Sequence, residues 1–268
     1  MLLGKEQIYN PGYSKLEKVY IFFFGMPIIG LRIRARNIFD LIPSSRNYKN
    51  ILDAGSGPGV FSFELGRRFP DAHVLGIDLL ESAIDVCREI ADRSKVSNVT
   101  FLHKDIESLK ENNFFDLILC VDILEHVEDD LKALKALFDA ASTGGILILH
   151  VPALHRRYPI WKKSLNFDVE THVRIGYRIE EIREKIIQTG FSILNSGFTY
   201  GFWETLANNI SYMITRARME NKILYSMVFP LLNLLSMIGM RARPKSLGAG
   251  VFIVAEKNDE ENTHKHYD

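Results

Sequence analysis

A glycine-rich turn between a buried strand and a helix is the feature that most constrains this 268-residue chain. The run Ile51–Ala54 is short and apolar, the turn Gly55–Gly59 follows it, and helical spacing begins at Val60. Glycines let a backbone turn sharply and approach a ligand closely, and the N-terminus of the next helix favours a negative group. The spacing is G-x-G-x-G after Asp53, and Val60 occupies the third glycine position of the dinucleotide fingerprint. We therefore expect a ligand that carries a carboxylate and a charged amine, and not a pyrophosphate.

Apolar runs and helical periods alternate from residue 50 onwards. The predicted strands are Ile51–Ala54, Ala72–Asp78, Asn98–His103, Phe115–Val121, Ile146–Val151, Phe191–Thr199 and Ala249–Glu256. The predicted helices are Val60–Phe69, Glu81–Ser94, Asp129–Ala141 and Arg178–Thr189, and Ala153–Tyr177 is predicted to be a long basic and aromatic loop. This alternation is typical of an α/β fold with a parallel, doubly wound sheet.

Aspartates stand at the ends of three successive predicted strands. Ligands of open parallel sheets bind outside the carboxyl ends of the strands. Asp78 could accept both hydroxyls of a ribose, and Asp105 could accept a hydrogen bond from an adenine amino group. Each has a structural alternative, because Asp78 could be a helix N-cap and Asp105 a turn residue. Together with Asp53, their common position favours binding of a ligand.

Five motifs resemble those of the class I S-adenosylmethionine-dependent methyltransferases, in particular the small-molecule enzymes of quinone biosynthesis. In order they are ILDAGSGPG, GIDLLESAI, FLHKDIESL, FDLILCVDILEHVEDD and STGGILILHVP. The resemblance covers roughly residues 48–200 and the last strand. It implies a Rossmann-like, doubly wound, seven-stranded sheet that binds S-adenosylmethionine. The cofactor-binding residues it implies are Asp53, Gly55, Ser56, Gly57 and Gly59 at the methionine part, Asp78 and Leu79 at the ribose, Asp105 and Ile106 at the adenine, and Val121 near the sulfonium.

Two further segments resemble the acceptor side of such enzymes. Glu125-His126 follows the fourth strand, and residues 171–177 (THVRIGY) contain a His-x-Arg segment. The resemblance implies His126 and His172 as candidate catalytic residues. The implied substrate-binding residues are Arg174, Tyr177, Tyr158 and Trp161. The structural alternatives are that His126 orders a loop and that the second segment caps a helix. His150, at the end of the fifth strand, is expected to be structural.

Composition excludes several other classes of protein. Equal numbers of basic and acidic residues, 33 of each, argue against a nucleic-acid partner. No Asn-Pro-Pro-Tyr or Asp-Pro-Pro-Tyr tetrapeptide follows the fourth strand, and within the family that the motifs resemble this departure implies that the substrate is not a nucleic-acid base or a glutamine amide. Only two cysteines, Cys87 and Cys120, are present, so a disulfide framework is excluded and no Cys/His spacing predicts a metal site. We expect a cytoplasmic location.

Apolar additions flank the predicted core. Val19–Leu31 and residues 223–240 contain no charge, and Pro230 would kink the second run. They could form a cap over an acceptor pocket, a homodimer interface, or a helical hairpin in a membrane surface. The basic residues that border them are Arg32, Arg34, Arg36, Arg216, Arg218, Lys222, Arg241, Arg243 and Lys245. Such residues suit anionic lipid headgroups, or they surround a buried helix.

These patterns predict five regions. They are an N-terminal helical extension (1–47), a cofactor-binding core (48–200), an apolar helical insertion between the last two strands (201–246), the last core strand (247–257) and a flexible tail (258–268). The predicted function is methyl transfer to a small, lipid-like acceptor of the prenylated-quinone or glycolipid type, with peripheral contact at the inner face of a membrane. The alternatives are a soluble enzyme for a polar metabolite or sugar, and a non-catalytic binding protein of this fold.

Overall fold

The structure, a computed structural model, describes residues 2–158, 161–167, 169–215, 221–238 and 246–258. A seven-stranded sheet has the order β3-β2-β1-β4-β5-β9-β8, in which β9 runs antiparallel to both of its neighbours. The strands are β1 (Asn50–Ala54), β2 (His73–Asp78), β3 (Val99–His103), β4 (Phe115–Val121), β5 (Ala141–Pro152), β8 (Ser192–Thr199) and β9 (Gly250–Glu256). The prediction of an α/β fold with a seven-stranded sheet is therefore confirmed, and the structure adds that the last strand, β9, lies between β5 and β8.

Helices cover both faces of the sheet. Those of the core are α3 (Val60–Arg68), α4 (Glu81–Ser94), α5 (Asp130–Ala140) and α6 (Ile179–Gln188). One apolar cluster joins the sheet to α3, α4 and the N-terminal segment, and a second joins the other face to α5 and α6. Burial on both faces explains why β4 and β5 read as continuous apolar runs. The segment predicted as a loop after β5 differs, because it contains a short hairpin of β6 (His155–Arg157) and β7 (Lys163–Leu165).

The N-terminal and late apolar segments form one helical layer. It consists of α1 (Lys15–Phe24), α2 (Ile29–Phe39), α7 (Phe202–Thr215) and α8 (Lys222–Met237). A separate apolar cluster joins α2, α7 and α8, and the Tyr20 hydroxyl of α1 donates to the Ser226 carbonyl of α8 at 2.7 Å. The first apolar run is two helices, because Gly25 ends α1 in a backbone conformation with φ of 68°. No helix within the described ranges is both long enough and apolar enough to cross a bilayer.

The arginines after the first apolar run do not border a lipid surface. Arg32 is buried and donates to the carbonyls of Met26 and Phe24. Arg34 pairs with Asp122, and Arg36 donates to Ser236. The lipid-headgroup interpretation of these three arginines is wrong, since their guanidinium groups bind partners within the protein itself. Arg216, Arg218, Arg241, Arg243 and Lys245 lie outside the described residues, and the five region boundaries stay predictions.

Candidate functional site

Glycine is required for different structural reasons at the three glycine positions of the turn after β1. All have positive φ, at 83° for Gly55, 48° for Gly57 and 73° for Gly59. A side chain at Gly55 would overlap Ile123, and one at Gly59 would lie 3.0 Å from the Cys87 sulfur. No atom of the described residues lies within 4 Å of the position that a Cβ of Gly57 would take. Packing therefore explains two of the glycines, whereas Gly57 leaves open space where a ligand can approach the backbone.

Two carboxylates, those of Asp78 and Asp53, lie next to this turn. Asp78 accepts the Gly57 N–H at 2.8 Å with one oxygen and the Leu80 N–H at 2.9 Å with the other. Asp53 is buried, accepts the Ser62 hydroxyl at 2.5 Å, and burial raises its pKa to about 6. The Ser56 hydroxyl is buried in the turn and has no hydrogen-bond partner among the described residues. An orphaned hydroxyl beside an open glycine suits the polar end of a bound cofactor.

A cavity of about 350 Å³ lies at the carboxyl ends of β1, β2 and β3. The predicted cofactor residues that line it are Gly55, Asp78, Leu79, Asp105 and Ile106, together with Ile77, Leu80, Lys104, Ile123, His126, Val127 and Thr171. Asp105 also accepts the Glu107 N–H at 2.9 Å, so it is a turn residue as well. Apolar side chains with two carboxylates at the rim suit a nucleoside. Asp53, Ser56, Gly57, Gly59 and Val121 are not part of this lining.

A second cavity, of about 520 Å³, lies on the other side of His126, which lines both. Its walls come from residues 27–30 and Arg34 of the extension, from the strand ends at Asp122 and His150, and from α7 and α8. The apolar additions therefore form walls of this space, as the pocket-cap alternative predicts. Its position beyond the first cavity makes it the candidate acceptor site.

A chain of charged and polar groups lies along the wall of the larger cavity. Asp122 has a φ of 55°, which is strained for an aspartate, and its N–H donates to the His150 carbonyl. Its carboxylate contacts Arg34 at 2.9 Å and His150 Nδ1 at 2.6 Å, and His150 Nε2 lies 2.9 Å from the Thr199 hydroxyl. The arginine and the histidine hold the pKa of Asp122 below its usual range despite burial. An ionised Asp122 fixes the His150 tautomer with the proton on Nδ1.

Glu125, His126 and His172 form a compact cluster at the cavity junction. Their ligand atoms lie within 4.8 Å of one another, and the two imidazole rings meet edge to face with centroids 4.6 Å apart. His126 Nδ1 lies 3.0 Å from the Thr171 carbonyl, which can only accept, so the proton is on Nδ1 and Nε2 is left as an acceptor. Burial, and then the neighbouring Asp122, raise the pKa of Glu125, which favours its neutral form. Two imidazoles and a carboxyl could also ligate a divalent cation. The sequence prediction of no metal site stays a prediction.

The other predicted acceptor residues lie behind or beside this junction. Tyr177 is buried, and its hydroxyl donates to Asp130 at 2.8 Å, while Arg174 donates to the carbonyls of Leu124 and Glu128. Both therefore position the segment that carries His172, and neither lines the larger cavity. Tyr158 packs edge-on against Phe167, and Trp161 is 82% exposed. Contact of these four residues with an acceptor stays a prediction.

Sequence reasoning missed three side chains of the larger cavity. Arg34, Arg156 and Tyr200 all line it. Arg34 was grouped with surface charges, because a sequence does not show that a helix of the extension reaches the end of β4. Arg156 lies in a basic stretch, and the sequence shows its charge but not its burial. Tyr200 follows β8 with a φ of 63°, and nothing in the local sequence predicts that this residue lines a cavity.

Comparisons with known proteins agree with this geometry. The profile of the methyltransferase-domain family matches residues 45–190. The ubiquinone biosynthesis O-methyltransferase of Acinetobacter baylyi is 32% identical over 99 residues, which are 36% of this chain and 41% of that protein. The matched part is thus less than half the length of that relative.

Solved structures share the fold at low sequence identity. The phosphoethanolamine N-methyltransferase 2 of Haemonchus contortus, solved with S-adenosyl-L-methionine, has a TM-score of 0.63 and 18% identity over 95% of this chain and 60% of that chain. The [4+2]-cyclase SpnF has a TM-score of 0.60 and 17% identity over 84% of this chain and 81% of that chain. Similarity at this level establishes the Rossmann-like fold alone.

Proposed function

The chain belongs to the methyltransferase-domain family, and we propose that it transfers a methyl group from S-adenosylmethionine to a lipid-like acceptor at a membrane surface. The sulfonium of this cofactor is a good leaving group, so the protein's main task is to align donor and acceptor. The smaller cavity takes the nucleoside, with Asp78 at the ribose and Asp105 at the adenine. The acceptor enters the larger cavity, and the two meet at His126.

His126 is the proposed general base for an acceptor hydroxyl. Its Nδ1–H is held by the Thr171 carbonyl, so Nε2 is able to take the proton as the acceptor oxygen bonds to the methyl carbon. His172 contacts the same ring at its edge and supports its orientation. Asp122 lies beside them as a carboxylate and stabilises positive charge at this junction.

The main support for a lipid-like acceptor comes from the helical layer, which lines the larger cavity. The outward faces of α1 and α8 expose large apolar side chains, which are Leu16, Val19, Phe22, Phe23 and Phe24 on α1, and Ile223, Leu224, Met227, Leu231, Leu234 and Met237 on α8. The two helices contact each other, and α8 also lines the cavity through Tyr225. An apolar surface continuous with an acceptor cavity suits entry of a substrate from a bilayer.

Methyl transfer from labelled S-adenosylmethionine to extracted metabolites tests the proposal. We expect label in the organic-solvent fraction of the extract, dependent on the protein and lost in His126→Gln. Label that appears in the aqueous fraction would instead support the polar-metabolite alternative. One observation favours that alternative, because Asn166, Asn208 and Ser211 also line the larger cavity.

Co-sedimentation with anionic liposomes tests membrane contact. Phe23→Asp and Leu231→Asp place charges on exposed faces of α1 and α8, so they should weaken sedimentation without unfolding the protein. Ile187→Asp is the matched control, because Ile187 is similarly exposed but lies on α6 of the core. A stable dimer that ignores liposomes, and that Phe23→Asp converts to a monomer, would show instead that these helices form a subunit interface.

A further inference from the structure

A buried arginine in the wall of the larger cavity has no acidic partner among the residues that the structure describes. Arg156 lies on β6, is 3% exposed and lines the cavity. Its guanidinium donates to two amide oxygens, Asn209 Oδ1 at 2.5 Å and Asn166 Oδ1 at 3.4 Å. The Nε atom is buried with no hydrogen-bond partner, and no carboxylate of the described ranges forms an ion pair with Arg156. A guanidinium has more N–H donors than these two amides accept.

Within the described ranges, the titratable groups that act on Arg156 are phenol hydroxyls and not carboxyl groups. They are the hydroxyls of Tyr158, Tyr200 and Tyr212. Burial lowers the pKa of Arg156, yet a guanidinium ordinarily titrates so far above neutrality that the group remains a cation. Buried charges in proteins are normally paired, so this cation is expected to meet its partner in a molecule that enters the cavity.

Aromatic rings fix the position of this cation. The guanidinium carbon lies 4.2 Å from the centroid of the Phe167 ring, and Phe167 stacks on Tyr212 at 4.0 Å with an interplanar angle of 13°. The guanidinium is thereby held in place before any ligand arrives, which lowers the entropy lost on binding. Arg34, the other arginine that lines the cavity, is already neutralised by Asp122 at 2.9 Å.

We propose that Arg156 binds an oxyanion, a carboxylate or a phosphate, on the acceptor. The acceptor class is then an anionic amphiphile, whose acidic group contacts Arg156 and whose apolar part lies along the extension and the helical insertion. Planar, bidentate recognition of such groups is the chemistry for which arginine is best suited. This inference rests on the proposed function only in taking the larger cavity as the acceptor site.

Calorimetry with octyl phosphate, octanoate and octanol, each below its micelle-forming concentration, tests the inference. The wild-type protein should bind the two anions and not the alcohol, and Arg156→Gln should weaken anion binding by about 10- to 100-fold. Arg156→Lys, which keeps the charge but not the planar fork, should lose less. Arg157→Gln is the matched control, because Arg157 is the next residue on the same strand and is exposed. Inorganic phosphate is the further probe, and binding as tight as that of octyl phosphate would identify a free anion as the source of the oxyanion.

Two readouts keep the outcome unambiguous. Affinity for S-adenosylhomocysteine should be equal in Arg156→Gln and wild type, which shows that the variant is folded. Equal octyl phosphate affinity in the two proteins would overturn the inference, as would a variant that loses S-adenosylhomocysteine alone, because the cofactor carboxylate would then be the partner. If Arg156→Gln does not fold, the test uses the NMR signal of the Arg156 Nε–H in the wild-type protein. This signal should shift when octyl phosphate is added, and an unchanged signal would contradict the inference. Anion binding through Arg156 without any methyl transfer to the organic fraction would refute the proposed function and leave this site standing.

Discussion

Asp78→Asn tests the link between the glycine turn and cofactor binding. In the wild type, the two carboxylate oxygens accept the Gly57 N–H at 2.8 Å and the Leu80 N–H at 2.9 Å. Asparagine keeps one oxygen and turns an NH₂ group towards the other donor, so one of these bonds is lost along with the charge that would receive the ribose hydroxyls. A hydrogen bond to a charged group contributes about 1.5–3 kcal/mol, and partial exposure to water reduces this to roughly 1–2 kcal/mol here. We therefore expect the dissociation constant for S-adenosylhomocysteine to rise about 5- to 30-fold.

Calorimetry of the folded variants gives this number directly. Asp85→Asn is the matched control, since Asp85 is exposed on α4 and pairs with Arg88 at the surface. Asp78→Ala should weaken binding at least as much as Asp78→Asn, because it removes both accepted bonds. If Asp78→Asn bound S-adenosylhomocysteine like wild type, both the ribose assignment and the argument that this carboxylate orders the turn would be refuted.

Three further predictions concern buried groups near the two cavities. Burial raises the pKa of Asp53 to about 6, so the folded protein binds this proton more tightly than the unfolded chain and loses stability as the pH rises from about 4 to 6. Asp53→Asn should therefore be more stable than wild type at pH 7, by on the order of 2–3 kcal/mol. Urea titrations should show that this difference vanishes near pH 4. Asp122→Asn leaves Arg34 without its counter-charge and should lower the free energy of unfolding by about 1–3 kcal/mol. Adding Arg34→Met to that variant should restore part of the loss, and a double variant no more stable than Asp122→Asn would contradict the pairing. His126→Gln should lower kcat by about 10²- to 10⁴-fold with little change in S-adenosylhomocysteine affinity, and an unchanged kcat would exclude His126 as the base.

The sheet could be predicted from the sequence because its signals are local. Phe115–Val121 and Glu81–Ser94 were predicted with the observed bounds, since a strand buried on both faces and an amphipathic helix each have their own period. The two interpretations of Asp105 are not exclusive, because it orders a turn and also lines the cavity. The N-cap alternative for Asp78 is wrong, because Leu80 is the N-cap of α4, and the Asp78 carboxylate accepts the Leu80 N–H from outside the helix.

The acceptor side could not be predicted in the same way because it is built from distant segments. Arg34 meets Asp122 across 88 positions of sequence (122 − 34), and Arg156 meets Asn209 across 53. Such contacts leave no periodic pattern in the sequence, so the sequence does not distinguish a buried basic residue from one at the surface. The three arginines of α2 illustrate the error. Their spacing after an apolar run resembles a headgroup-binding cluster, whereas in the structure Arg32 is buried, Arg34 pairs with Asp122 and Arg36 donates to Ser236.

The most direct test of this account is a crystal structure with S-adenosylhomocysteine bound. The account predicts adenosine in the smaller cavity, with the ribose hydroxyls at Asp78 and the adenine beside Ile106, and the sulfur at the junction near His126, open to the cavity that Arg156 lines. A cofactor whose sulfur is closed off from the larger cavity, or whose adenosine occupies that cavity, would contradict the division into donor and acceptor halves.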